Sequence, residues 1–463
     1  MNNNEEEFTS LLKKCEQMLA SKKEVYFDVD EFLELIDYYT EHDEDEATIE
    51  QLYTYAQKQH GFHSEIEASR AMFLVDCMRE DDALQIFHKL IKLEPDDGYH
   101  AADLSFIYAH KGDIANAFFY LKRAIALNPE EEENTVCYIA TELLLHAHYE
   151  AAQKLLQHTL NKYPNNSELL YYSAMCYTSM GNTEKGIALL QSVVQADPYN
   201  SDAWFNLGVA YWQSSQFAEA IEALDYALAI NAEFVAALFV KATCLVAMKA
   251  TDEAIQILKE IVEIAPNHIE ALDSLADCYA ELEDFEQSVN CRIALLEVDP
   301  DHAKSWARLA KMYALDEDYK QAVELYKKAI ELEPDNGEIV MDFALLLNVL
   351  DLYDEAISVC KQAVKFEPNN AELWLHYANV ERSNKKIDKA LKVLQQALKH
   401  TDEAVIHYTI AELYIQQKKI DKAVEYFTFA YAKAPEMADV FFENCTIPTK
   451  ELELFHSIIH TNL

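Results

Sequence analysis

The stretch of the chain that decides the fold runs from residue 204 to residue 211. It reads Trp204-Phe205-Asn206-Leu207-Gly208-Val209-Ala210-Tyr211. A second small residue, Ala220, follows Gly208 further along the chain, and Leu224 comes one helical turn after it. Small residues on two successive helices allow the helix backbones to approach closely, while the larger apolar residues fill the space beside them. This stretch therefore predicts two packed helices joined by a short turn.

The same pattern recurs along the chain with a period of 34 residues. Nine of the ten prolines follow this period or small departures from it, at positions 95, 129, 164, 198, 266, 300, 334, 368 and 435. They fall at position 32 of units that start near residues 30, 64, 98, 133, 167, 201, 235, 269, 303, 337, 371 and 404. Position 8 is small in every unit except the first, and position 20 is Ala in most of them. Such self-similarity indicates a repeat protein.

The composition and the period together predict an all-α fold. The 463 residues include only 7 Gly, and the 10 Pro fall almost entirely at the repeat boundaries. Proline lacks an amide hydrogen and disfavours helix in the residue before it, so each unit is expected to be a helix, a turn and a helix with a proline-marked stop. One such pair cannot bury its apolar face alone, and we therefore expect the pairs to stack into a solenoid.

The unit that contains Trp204 and Tyr211 resembles the tetratricopeptide repeat signature nearly position by position, although Ala232 stands where that signature has proline. The resemblance covers residues 64–437 in eleven units, and residues 30–63 form a weaker, degenerate unit. It implies a right-handed superhelix of about twelve antiparallel helix pairs, in which the first helix of each pair lines a concave groove. Residues 1–29 and 438–463 are expected to be helical caps at the two ends.

The charge of the chain restricts its partners. With 38 Lys and Arg against 81 Asp and Glu, the formal charge is −43, which repels nucleic acid and anionic membranes. The nine cysteines are scattered singly and are expected to be buried free thiols. The beginning of the sequence does not have the pattern of a secretory signal, and no long apolar run follows it. These features predict a cytoplasmic protein without membrane insertion.

In the family, positions 2, 5, 6, 9, 12 and 13 of each unit face the groove, and here four consecutive units carry aromatic residues at these positions. They are Tyr138, Tyr171, Tyr172, Phe205, Trp212 and Phe239. Rigid rings offer a large contact area at low entropic cost, so they are candidates for binding apolar or aromatic side chains of a partner peptide. The alternative is that several of these rings pack against adjacent helices or against a segment of the chain itself.

A second candidate binding site is basic. Lys304, Arg308 and Lys311 occupy groove positions of one helix and could capture a carboxylate or an acidic peptide. The alternative is that carboxylates of the neighbouring units neutralise these cations. Those carboxylates are Asp273, Asp277, Glu338 and Asp342.

Two peptide-binding schemes of the family do not extend to this chain. Lys304 and Arg308 match the Lys and Arg of the clamps that hold the C-terminus of heat-shock chaperones. The other clamp positions carry different residues, namely Phe239, Thr243 and Ser274. A ladder of groove asparagines that grips peptide backbone is also absent, because only Asn206 fits it.

No enzymatic or cofactor motif is recognised. Glu453, His456 and His460 share a helical face but lack a further ligand, and His146 and His148 point to different sides of a helix. We therefore expect no catalytic residues, no cofactor and no metal. The predicted function is a non-catalytic scaffold that binds a protein or peptide, with basic segments of the partner and self-association both left open. The alternative is a regulatory subunit of a complex whose catalytic site lies on another chain.

Overall fold

The structure, a computed structural model, describes residues 3–21, 25–42, 46–444 and 451–456. Every regular element in these ranges is a helix, and none of the described residues forms a strand. The prediction of an all-α fold built from helix pairs is therefore confirmed. None of the described helices has the length and apolarity needed to cross a membrane. The chain divides into two compact units, residues 1–244 and residues 245–463.

The first unit consists of α-helices joined by short turns, with a 3₁₀ turn at Pro129–Glu131. The helices are α1 (Asn3–Ser21), α2 (Val29–Glu41), α3 (Glu46–His60), α4 (Ser64–Asp76), α5 (Glu80–Leu93), α6 (Gly98–His110), α7 (Ile114–Leu127), α8 (Glu132–Leu145), α9 (Tyr149–Leu160), α10 (Ser167–Ser179), α11 (Thr183–Ala196), α12 (Ser201–Gln213), α13 (Phe217–Ile230) and α14 (Val235–Ala247), and the division between the units falls within the last of them.

The second unit continues the alternation, with a 3₁₀ turn at Pro435–Met437. Its helices are α15 (Thr251–Ile264), α16 (Ile269–Glu281), α17 (Phe285–Val298), α18 (Ala303–Leu315), α19 (Tyr319–Leu332), α20 (Gly337–Val349), α21 (Tyr353–Phe366), α22 (Ala371–Ser383), α23 (Ile387–Ala397), α24 (Ala404–Gln416), α25 (Ile420–Lys433) and α26 (Ala438–Asn444). Residues 451–456 are also helical.

The proline that ends one unit is followed two residues later by the cap of the next helix. Asn200, which follows Pro198, accepts a hydrogen bond through Oδ1 from the amide of Ala203 at 2.9 Å and so satisfies one of the free donors at the start of α12. Trp204 then donates from Nε1 to the carbonyl of Pro198 at 3.0 Å. Two hydrogen bonds thus hold the loop of residues 198–200 against the start of α12.

In the units from residue 64 onward, the turn inside each pair has a left-handed residue at position 15. Glycine provides it at Gly112 and Gly181, but in most units a residue with a side chain has a φ near +60°. These residues are Met78, Ala147, Ser215, Lys249, Glu283, Glu317, Asp351, Lys385 and Lys418. A left-handed conformation is unfavourable for residues with a Cβ, so each of these turns carries a small conformational cost.

The small residues of the repeat lie where the two helices of a pair meet. A Cβ added to Gly208 would lie 2.7 Å from Cγ of Leu224, and Ala220 is fully buried opposite it. Apolar residues of successive pairs join into extended cores, and in the second unit a single core cluster runs from Leu272 to Phe455. This is the packing expected when each pair buries its apolar face against its neighbours.

The ends of the described chain are also packed. In α1, Leu11, Cys15 and Met18 are buried in the core that α1 forms with α2, α3 and α4. At the other end, the ring of Phe455 is fully buried and lies 5.2 Å from that of Phe427. The remainder of the predicted C-terminal cap, including Pro448, Ile459 and His460, lies outside the described residues.

The described cysteines are free thiols. Most are buried and two are half-buried, while Cys445 lies outside the described residues. Burial raises the pKa of the Cys176 and Cys360 thiols to about 12. These thiols are therefore protonated at neutral pH and are inert in the folded chain.

Candidate functional site

The first helices of successive pairs contact one another and present a common face, which we call the first-helix surface. In the first unit it is formed by α6, α8, α10 and α12, which contact one another in succession. Side chains one repeat apart meet on this surface. Tyr138 of α8 stacks on Phe106 of α6 with centroids 4.7 Å apart, and Asn206 of α12 donates to the hydroxyl of Tyr171 of α10 at 2.7 Å.

The predicted aromatic residues differ in their surroundings. The ring of Phe205 lies 4.8 Å from that of Phe234, and Tyr171 and Tyr172 form an edge-to-face pair at 5.4 Å. Tyr172 also packs against the core formed by the preceding helix pairs, and Phe239 is half-buried. Much of the ring surface of Phe205 and Tyr172 therefore packs against other residues of the chain, as in the alternative interpretation.

Tyr138 and Trp212 are the exposed members of the aromatic set. Their exposed fractions are 38% and 40%, which are large values for rings that carry so much apolar area. Both residues lie on first helices of the same unit, α8 and α12, with α10 between them. Among the predicted aromatic residues, these two rings therefore have the largest exposed surface available to a partner.

Carboxylates surround Tyr138. Burial raises the pKa of the Asp103 carboxyl to about 6, and burial together with Asp103, Glu142 and Asp76 raises the pKa of the Tyr138 hydroxyl. The tyrosine consequently stays neutral, while the nearby acidic groups give this part of the surface a negative potential. A partner that inserts an apolar group beside a cation would match both properties.

The predicted basic residues are largely paired. Arg308 Nη1 lies 2.8 Å from Asp273 Oδ2 and 3.0 Å from Asp277 Oδ2. A further arginine, Arg292, is only 2% exposed and donates to the same two carboxylates. Two arginines and two aspartates thus form a compact, neutral cluster in the second unit.

The other two cations of this prediction are more exposed. Lys311 Nζ lies 3.5 Å from Asp342 Oδ2, and Lys304 is exposed at the start of α18. Neighbouring carboxylates therefore neutralise Arg308 fully and Lys311 in part, as in the alternative interpretation.

A cavity of about 410 Å³ lies near the end of the second unit, at positions that the sequence analysis did not identify as a site. Groove positions of α22 and α24 line it, including His376, Arg382 and Glu412, and Phe441 of α26 contributes an apolar wall. Burial raises the pKa of Glu412, and Arg382 acts in the opposite direction. The individual residue types carry no motif, so only the repeat register could have identified these positions.

His146 and His148, which the sequence places close together, do not form a joint site. His146 and His148 face different surroundings, because His146 contacts His110 whereas His148 lies beside the turn at Gly112. His456 stacks on Phe442, and its proposed partner His460 lies outside the described residues.

Family models described as tetratricopeptide repeats match residues 179–233, 211–275, 245–313, 303–336, 350–413 and 404–430. Residues 110–193 also match a model described as anaphase-promoting complex, cyclosome, subunit 3.

Two curated relatives are similar over part of the chain. A tetratricopeptide repeat-containing protein, trd-1, of Caenorhabditis elegans is 25% identical over 164 residues, which is 35% of this chain and 20% of that protein. The interferon-induced protein with tetratricopeptide repeats 3 of Mus musculus is 26% identical over 140 residues, which is 30% of this chain and 34% of that protein. The chain thus spans about a third or less of the length of these relatives.

Solved structures resemble the chain at lower identity. Yeast Tom70 is 13% identical, with 86% of this chain and 96% of that chain covered and a TM-score of 0.41. YrrB, described as a protein of the same repeat class with an unusual peptide-binding site, is 22% identical over 40% of this chain and 95% of that chain, with a TM-score of 0.36.

Proposed function

Because the chain belongs to the tetratricopeptide repeat family, we propose that it is a non-catalytic scaffold whose first-helix surface binds an extended segment of a partner protein. The observation that supports this function is the exposure of the Tyr138 and Trp212 rings on first helices of one unit. Large exposed aromatic rings are over-represented among the residues that dominate binding energy in protein interfaces.

The spacing of the helices suggests the length of the bound segment. Packed helices lie about 8–10 Å apart, so α8 and α12, with α10 between them, are separated by about 20 Å. An extended chain advances about 3.3 Å per residue. A partner segment of about six residues would therefore reach from the Tyr138 ring to the Trp212 ring.

The charge favours a basic partner. The carboxylates of Asp76, Asp103 and Glu142 lie close to Tyr138, and the chain as a whole carries a formal charge of −43. A segment that places Lys or Arg beside an apolar side chain would gain from both features, mainly through faster association. The cytoplasmic location and the possibility of self-association stay predictions.

The first experiment selects peptides from a random-peptide phage library against the full chain and measures their affinity for variants. In Tyr138→Ala and Trp212→Ala we expect the Kd of the selected peptides to rise about tenfold each, because each variant removes a hot-spot ring. Circular dichroism should show unchanged helicity, because both rings are exposed.

Phe119→Ala is the matched control. Phe119 is 61% exposed but lies on α7, a second helix, so its loss should leave the peptide affinity unchanged. If the selected peptides bind both first-helix variants with the affinity of the unchanged protein, the first-helix surface around these rings is not the binding site.

A regulatory subunit of an enzyme complex would be a special case of the same binding function. The difference lies in the partner. If the purified partner is an enzyme whose turnover changes on adding this chain, and the change is lost in Trp212→Ala, the chain is regulatory; unchanged turnover favours a scaffold.

A further inference from the structure

Two histidines and a buried glutamate converge where α6 and α8 end. Nδ1 of His110 lies 2.7 Å from Oε1 of Glu142, and Nε2 of His146 lies 2.9 Å from the same oxygen. The two imidazole nitrogens are themselves 3.1 Å apart. Three potential ligand atoms from two successive repeats therefore form a small triangle.

The three ligand atoms of this triangle cannot all form good hydrogen bonds with one another. Two neutral imidazoles that both donate to Oε1 of Glu142 bring two N–H groups against each other along the 3.1 Å edge. If His110 or His146 turns its ring nitrogen into an acceptor, one bond to the carboxylate is lost. A cation at the centre removes the conflict, because all three atoms then act as electron-pair donors.

The geometry and the chemistry fit a transition-metal ion. Zn²⁺ binds imidazole nitrogen and carboxylate oxygen at about 2.0–2.2 Å, so neighbouring ligand atoms in a tetrahedral site are about 3.3 Å apart. The edges of the triangle, 2.7, 2.9 and 3.1 Å, would need to open by only a few tenths of an ångström or so. Two imidazoles and one carboxylate are a common donor set for this ion.

Burial distinguishes the cluster from ordinary surface charges. Glu142 is 4% exposed, whereas His146 is 37% exposed and provides a path for an ion from solvent. Around them, Glu80 Oε1 lies 3.7 Å from the other ring nitrogen of His110, and Asp76 interacts electrostatically with both His110 and Glu142. Such outer carboxylates orient a ligating histidine and favour a cation.

We propose that His110, Glu142 and His146 bind one divalent transition-metal ion of the Zn²⁺ type, with a fourth coordination position open to water. The ion would join α6 to α8 and thus two successive helix pairs. This inference shares Glu142 with the acidic surroundings of Tyr138, but the peptide-binding proposal is carried by the exposed rings, so either proposal can fail without the other.

A second group of possible metal ligands lacks the features that distinguish this cluster. Glu94, Asp97 and His100 also lie close together, but this group offers a single nitrogen. Oδ1 of Asp97 already accepts the amide hydrogens of Tyr99 and His100 as the cap of α6. Local capping explains this arrangement without an ion.

The test measures Zn²⁺ binding to the full-length chain after treatment with a chelator. Isothermal titration with ZnCl₂ should give one tight site, and Zn²⁺ should raise the Tm of the unchanged protein. His110→Ala and His146→Ala should each weaken binding about tenfold or more, and the rise in Tm should be lost with them.

Matched controls use histidines outside the cluster. His148→Ala, His100→Ala and His456→Ala should retain the tight site, and Tyr138→Ala should retain it even if peptide binding is lost. His146 is partly exposed, so His146→Ala is expected to fold even if a substitution of Glu142 does not.

Co²⁺ provides an independent readout of geometry. A tetrahedral site gives strong visible absorption with Co²⁺, which should appear in the unchanged protein and disappear in His146→Ala. If the unchanged protein has no tight site, or if His110→Ala and His146→Ala bind Zn²⁺ as it does, the three residues form only a hydrogen-bonded contact and the proposal is wrong.

Discussion

Arg292 and Arg308 share two aspartates, but they differ in burial. Arg292 is almost fully buried, whereas the Arg308 side chain is 41% exposed. Removing Arg292 empties the buried space that its side chain fills, while Asp273 and Asp277, which are 26% and 48% exposed, keep Arg308 as a partner. An exposed ion pair such as that of Arg308 contributes little. The structural importance of the cluster therefore lies mainly in the residue that was not among the sequence candidates.

We expect Arg292→Ala to lower the free energy of unfolding by about 2 kcal/mol, because it leaves a buried space unfilled, and Arg308→Ala by about 1 kcal/mol or less. Urea unfolding followed by circular dichroism measures both values. Lys304→Ala is the control and should leave stability unchanged. Equal losses for the two arginine variants would contradict the importance given to burial.

The sequence predicted residue contacts only where the repeat register supplied them. The carboxylates Asp273 and Asp277 were recognised as neighbours of Arg308 because groove positions of adjacent units face each other. Arg292 stands at position 24, the position that Leu224 occupies in the unit starting at residue 201, and nothing in the sequence indicated that its guanidinium would reach the groove aspartates. Long side chains are positioned by tertiary packing, which the period does not encode.

The same reasoning applies to the histidine cluster. His110 and His146 are 36 residues apart, and pairing by helical spacing compares His146 only with near neighbours such as His148. Alignment by repeat places His110 and His146 at nearly equivalent ends of adjacent first helices. The signal was therefore present in the register rather than in any local motif.

At the scale of the elements, the turn inside each pair is a site of conformational strain. Ser215 has a φ of +58°, and the amides of Ser215 and Gln216 donate to the carbonyls of Trp212 and Tyr211, both at 2.9 Å. This is the hydrogen-bonded end of a helix that ordinarily has glycine at the left-handed position.

We expect Ser215→Gly to stabilise the chain by about 0.5–1 kcal/mol. The left-handed conformation costs a residue with a Cβ about 1–2 kcal/mol, and the greater freedom of glycine in the unfolded chain offsets about 0.5–1 kcal/mol of the gain. Thermal and urea unfolding provide the measurement. Ser215→Ala should be close to neutral, and Ser215→Val should be destabilising; a loss of stability in Ser215→Gly would contradict the argument.

The helices themselves were the most predictable part of the molecule. Small residues at positions 8 and 20 and the prolines at position 32 are constraints of close packing and of chain termination, so they appear directly in the sequence. Gly208, Ala220 and Pro198 illustrate all three. The exposure of Tyr138 and Trp212 was less predictable, since it depends on which neighbours cover each ring.

At the scale of the whole molecule, the formal charge of −43 acts on association with a partner. Long-range attraction raises the encounter rate of oppositely charged molecules, and salt screens it over about 8–10 Å at physiological ionic strength. The repeat period does not indicate where the negative charge is concentrated. In the structure, the carboxylates of Asp76, Asp103 and Glu142 lie near Tyr138.

For a basic peptide selected on the first-helix surface, we expect the association rate constant to fall about tenfold or more between about 0.02 and about 0.5 M NaCl. The dissociation rate constant should change much less. Biolayer interferometry gives both. A version of the peptide with Gln in place of Lys is the control and should show little salt dependence; equal dependence for both peptides would argue against electrostatic steering.

The division of the chain into two units was not anticipated, and the reason is physical. Each helix pair contacts mainly its neighbours, so the repeat pattern carries no signal that would place a division in the chain. The boundary at residues 244 and 245 falls inside α14, where the small and apolar positions follow the usual pattern.

The buried thiols have a use that follows from their placement. Five of the buried cysteines, Cys15, Cys137, Cys176, Cys244 and Cys360, lie on helices of different repeats along the chain, and burial raises the pKa of each thiol while its helix stays packed. An alkylating reagent would mark each thiol only when that part of the array opens. The natural sequence thus contains its own series of chemical reporters, from which the order of local unfolding along the molecule can be recorded without a single substitution.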